Sequence, residues 1–72
     1  MSRSVEFQDQ LAALVPNLRA FAKSLSANAD SADDLVQETL SKAWKNQSSF
    51  AEGSSLKAWL FTILRNTFLS ER

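Results

Sequence analysis

Seventy-two residues carry eight basic and eight acidic side chains, no cysteine and no histidine, for a net charge of zero. That length allows one small domain with a core worth about 3–5 kcal/mol net, and the missing residue types exclude disulfides, thiolate metal sites and the commonest general base. No apolar run approaches the roughly 20 residues of a membrane span. The opening MSRSVEFQDQ lacks an apolar signal segment, so a soluble, cytoplasmic, all-α domain without cofactor or metal is expected.

Phe7, Leu11, Leu14, Val15, Leu18, Ala22 and Leu25 recur at helical spacing and predict a first helix. Pro16 lies inside that stripe. It has no N–H and its ring opposes the carbonyl of residue 12, so a kink is expected there, or a helix ending near Leu14 and another starting at Pro16. The polar SANADSADD follows. Ser31 with Asp34 three residues on reads as a variant capping box, and Asp30 is a competing N-cap. A second helix is expected from about Ala32 to Lys45, with Leu35, Val36, Thr39, Leu40, Ala43 and Trp44 inward. Asp33 and Asp34 then fall in its first turn, where the helix dipole favours negative charge, and Glu38 with Lys42 makes an i, i+4 pair. NQSSFAEGSS, residues 46–55, is a polar loop around one phenylalanine. Gly53 turns the chain there, and Ser54 or Ser55 caps a third helix that runs to about Ser70.

Leu56, Trp59, Leu60, Ile63, Leu64 and Thr67 form the inward face of that last helix. Its other side carries Lys57, Phe61 and Arg65 at i, i+4, i+8, with Phe68 and Leu69 also turned away. Either the first helix covers Phe61 and Phe68, or rings and cations face an unpaired nucleic-acid strand. Base–aromatic stacking is worth about 1–3 kcal/mol per base in the second case. Charge is segregated: four acids and no base lie between Asp30 and Glu38, whereas Lys57, Arg65 and Arg72 face one acid, Glu71, after Gly53. The outward face of the second helix (Asp34, Gln37, Glu38 and Ser41, with Asp33 at its edge) is therefore either a solvated surface or an acidic strip for a basic partner. The loop around Phe50 is either a plain connection or a cup for one flipped base. No glycine-rich phosphate loop, zincin motif or nucleophile elbow is present, and capping accounts for the clustered acids, so catalysis is not expected.

ADDLVQETLSKAW (32–44) and SSFAEGSSLKAWLFTILRN (48–66), in that order and separation, resemble region 2 of a bacterial RNA polymerase sigma factor of the extracytoplasmic-function (ECF) class. LRAFAKSL (18–25) and TILRNTF are most similar to the subgroup serving the alphaproteobacterial general stress response. The likeness is weakest at the start of the chain. It implies a three- to four-helix bundle forming one domain over 1–72. It further implies that Asp33, Asp34, Leu35, Gln37, Glu38 and Ser41 bind core RNA polymerase at the β′ clamp helices. Ser48, Ser49, Phe50, Gly53, Ser54 and Ser55 would hold an unstacked base of the promoter −10 element. Lys57, Phe61, Arg65 and Asn66 would contact bases or phosphates of the non-template single strand, while Trp44 and Trp59 match positions that are mainly core. An anti-sigma factor is an expected partner and a membrane is not. Complete factors of this class continue into region 4, which reads the −35 element, so an isolated or truncated domain is expected from the ending FLSER. The alternative is a sigma-like decoy that binds an anti-sigma factor without contacting DNA. The intact acidic motif and the Lys57, Phe61, Arg65 face favour a true sigma domain.

Overall fold

The computed structural model describes residues 3–51 and 53–70, with side chains from residue 6 onward. Glu71 and Arg72, counted in the charge distribution above, lie outside the described residues. Three helices account for most of the chain: α1 (Arg3–Leu25), α2 (Ala29–Lys45) and α3 (Leu56–Ser70), with a 3₁₀ turn at Gln47–Ser49 between the last two. The described residues contain no strand, as the periodicity predicts. α2 is the central element, packed against both neighbours, and the α1–α3 contact is slighter.

The apolar stripes meet in one core. Phe7, Leu11, Leu18 and Ala22 enter it from α1, Ala32, Leu35, Val36 and Ala43 from α2, and Leu60 and Leu64 from α3. Two hydroxyls are buried among them, and both are satisfied. Thr39 donates to the Leu35 carbonyl at 2.7 Å, and Thr67 accepts from the Lys42 ammonium at 3.1 Å, so neither carries the cost of an unpaired polar group. One end of the core is aromatic: the Phe7 ring lies 6.1–6.4 Å from those of Trp44, Phe50 and Trp59.

Several local expectations are corrected. α1 is one continuous helix through Pro16, which overturns the alternative of one helix ending near Leu14 and another starting at Pro16. Ala12, whose carbonyl loses its i+4 donor, is exposed and its carbonyl is not sealed in the core, while Leu11 and Leu18 anchor both halves of the helix. α2 starts three residues earlier than the spacing of Ser31 and Asp34 suggests. Its N-cap is Asn28, in extended backbone, whose side-chain oxygen accepts from the amides of Asp30 at 2.8 Å and Ser31 at 3.2 Å. Asp30 is consequently the acid in the first turn, and Asp33 and Asp34 fall in the second. Lys42 reaches inward to Thr67, and no Glu38–Lys42 ion pair occurs among the described residues. Trp44 is 43 % exposed and does not point inward, because Phe7 covers it from one side only. At α3 the expectation holds: Ser55 is the cap, its hydroxyl accepting from the Ala58 amide at 3.2 Å. Gly53 supplies the positive φ, +88°, that turns the loop into that cap.

Candidate nucleic-acid and protein interfaces

The outward face of α2 is built by helical periodicity alone. Asp33, Asp34, Gln37 and Ser41 are exposed and Glu38 is partly so. Leu35, included by resemblance in the docking set, is 5 % exposed and supports the strip from inside the core. Asp33 pairs with Arg19 of α1 at 3.4 Å, both side chains being more than half exposed, so the pair is weak and easily exchanged. Asp34 and Glu38 make no ion pair among the described residues. Because Asn28 does the capping, these carboxylates are not tied up in satisfying helix amides. They are free to accept charge-assisted hydrogen bonds from an incoming base.

α3 presents three sides to its surroundings. Towards α1, Phe61 stacks on Phe21 with ring centroids 4.6 Å apart and planes 11° from parallel. Phe61 is thus partly buried, and the Lys57 ammonium sits over its ring at 5.6 Å. Of the two readings of this face, the structure shows the first for the ring and leaves the cations outside. Lys57 and Arg65 are exposed, as is Asn66, and Leu69 is 46 % exposed beyond them.

The loop residues assigned to a base pocket divide between two cavities. Ser48, Phe50, Gly53 and Ser54 line a groove of about 550 Å³ against the N-terminal half of α1. Ser49 lies instead in a cleft of about 320 Å³ between the end of α2 and the C-terminal part of α3, together with Asn66. Ser55 lines neither and serves as the α3 cap. Phe50 is partly buried, with its ring 5.2 Å from that of Trp59, so it builds the wall between elements and does not stand free in the loop.

The smaller cleft contains residues that sequence reasoning missed. Lys42, Asn46, Trp59, Ile63, Thr67 and Ser70 join the expected Ser49 and Asn66 around it. The indole of Trp59 and the side chain of Ile63 give an apolar wall. Asn46 and Asn66 supply amides with both donors and acceptors, and Lys42 supplies a cation. No acid among the described residues lines the cleft. Its volume falls at the low end of the range for small-ligand pockets, suited to something the size of one base. A partial signal was present, since Lys42 with Asn46 and Ile63 with Asn66 are neighbours one turn apart. The face of α2 that meets this face of α3 depends on helix crossing, which no local spacing specifies.

A family model described as the Sigma2 domain of PhyR matches residues 11–65. The chain belongs to this sigma region 2 family. Within it, the domain is 66% identical over 64 residues to the ECF RNA polymerase sigma factor EcfG of Rhodopseudomonas palustris, covering 89% of this chain and 35% of that protein. It is 45% identical over 53 residues to the ECF sigma factor SigG of Mycobacterium tuberculosis, covering 74% of this chain and 14% of the relative. The sigma region 2 domain thus spans about a third or less of the length of these curated relatives. Among solved structures it matches the sigma factor RpoE of Bartonella quintana, crystallised in complex with the anti-sigma factor NepR, with a TM-score of 0.87 and 61% identity over 92% of this chain and 41% of that one. These likenesses put the sigma region 2 domain with the ECF factors of the alphaproteobacterial general stress response. Phe7, the hub of the aromatic cluster, lies outside the matched span.

Proposed function

We propose that this sigma region 2 domain docks on core RNA polymerase through the outward face of α2 and captures unstacked non-template bases of the promoter −10 element beside α3. The observation that carries the docking half is the position of Asn28. With capping done one turn upstream, Asp34 and Glu38 have no role in satisfying the helix and stand ready for the basic side chains of a partner. Asp33, Gln37 and Ser41 complete the strip, and Asp33 exchanges its exposed Arg19 for a partner's arginine.

Capture is assigned to the cleft lined by Lys42, Asn46, Ser49, Trp59 and Asn66. A base swung out of the duplex meets the Trp59 indole on its face and the two amides on its edge. Arg65 and Lys57, both exposed on the opposite side of α3, receive phosphates farther along the strand as it passes round the helix. Holding separated bases offsets part of the cost of melting, and that is the whole of the chemistry: no bond is made or broken. A domain of zero net charge binds DNA weakly alone, since each phosphate neutralised on a single strand changes log K by only about 0.7 per log unit of salt. The polymerase supplies the remaining affinity and sets a cytoplasmic location. An anti-sigma factor is a further proposed partner, since the RpoE relative was crystallised with one.

The test is charge reversal. Asp34→Lys with Glu38→Lys is expected to weaken binding to core polymerase by tenfold or more, with helicity by circular dichroism unchanged. Loss of helicity without a selective binding defect would mean that the acids are structural. Binding of an anti-sigma factor with neither core nor single-stranded −10 DNA bound would support the decoy reading instead.

A further inference from the structure

The larger groove, beside α1, is ill suited to DNA. The acid Glu6 stands on its rim, and no basic side chain lines it among the described residues. Its floor is apolar, made by Phe7, Leu14, Phe50 and Leu56. Next to it stands the most accessible aromatic of the described residues, Trp44, at 43 % exposure. The two features are physically joined. Phe7 forms the groove floor and touches the Trp44 ring at a centroid distance of 6.4 Å. Gln47, on the groove wall, donates from its side-chain amide to the Trp44 carbonyl at 3.1 Å. On α2, Trp44 falls on the same side as Asp33 and Gln37, at helical steps of four and seven residues.

Resting on the polymerase-docking reading, we propose that the docking surface does not end at the acidic strip but runs over Trp44 into this groove. There it takes an apolar side chain, flanked by a lysine or arginine, from the same basic partner. Continuity with the strip names the partner, and the acid on the rim above an apolar floor names the side chains it offers. An exposed indole beside a preformed apolar groove is the composition from which interface anchors are made.

The experiment measures the affinity of the full chain for core RNA polymerase, with Trp44→Ala and Glu6→Arg as variants. Trp44→Ala is expected to weaken binding about 30-fold, the ratio typical of an interface anchor. Glu6→Arg, at an exposed position in the first turn of α1, is expected to weaken it several-fold while lowering the urea midpoint only slightly. Hydroxyl-radical footprinting should find Trp44 oxidised in the free domain and protected on the polymerase. Wild-type affinity in both variants, with Asp34→Lys still weakened, would overturn the extension and leave docking on the strip alone. No core binding by the wild-type chain would instead overturn the docking reading itself, and the extension with it.

Discussion

Phe61 is the residue at which the packing and base-reading accounts diverge most sharply, and Phe61→Ala separates them. Truncating a fully buried phenylalanine costs about 3–5 kcal/mol. Phe61 is partly buried, so about 2 kcal/mol of that applies. The parallel stack on Phe21 at 4.6 Å adds about 0.5–1.5 kcal/mol beyond area burial. The sum, about 2.5–3.5 kcal/mol, is half or more of the about 3–5 kcal/mol available to a domain this small. The variant should therefore melt about 10–28 °C lower. Urea and thermal unfolding followed by far-UV circular dichroism measures it. Phe21→Ala closes a double-mutant cycle, whose coupling should be about 0.5–1.5 kcal/mol. If Phe61→Ala unfolds like wild type, shows no coupling to Phe21, and loses capture of single-stranded −10 DNA instead, the packing assignment is wrong and the ring is a base reader.

Three further outcomes are expected. Asn28→Ala should destabilise the domain by about 1 kcal/mol, because it removes the acceptor for two helix amides, whereas Ser31→Ala should be nearly silent in the same urea titration. Pro16→Ala should stabilise by about 1–3 kcal/mol, since it restores a backbone donor inside an unbroken helix, and a lowered urea midpoint would contradict this. Arg65→Ala, at an exposed position, should leave stability within about 0.5 kcal/mol. It should also reduce the salt dependence of strand binding on the polymerase by about 0.7 in the log–log slope, which filter binding across salt concentrations would measure.

The helical class and the core were legible because amphipathic spacing is a local property. Phe7, Leu11, Leu18, Leu35, Val36, Leu60 and Leu64 are all buried where their periodicity puts them. What misled was competition between local signals. Ser31 and Asp34 match a capping pattern, but Asn28 reaches the helix amides first and shifts the start by a turn. Pro16 carries a local penalty that α1 absorbs because its packing continues on both sides. Lys42 looks like the i+4 partner of Glu38, yet the buried Thr67 hydroxyl of another helix claims it. The candidate site was legible as a list of residues more than as an arrangement. The acidic strip lies on one helix and could be read from spacing. The residues proposed for base capture come from two helices and a loop, and the fold sends Ser48 and Ser49, neighbours in the chain, to different cavities.

On the proposed reading a neutral domain divides its work between two surfaces: Asp34 and Glu38 on the outward face of α2 meet the polymerase, and the cleft between the ends of α2 and α3, lined by no acid among the described residues, takes the strand. The most direct test is the affinity for single-stranded non-template −10 DNA, measured with and without core polymerase, for wild type, Asn66→Ala and Asp34→Lys. Tight binding should appear only with core present. Asn66→Ala should then lose the strand while keeping the polymerase, and Asp34→Lys should lose both. Strand binding that is indifferent to core polymerase and to Asn66 would contradict the account.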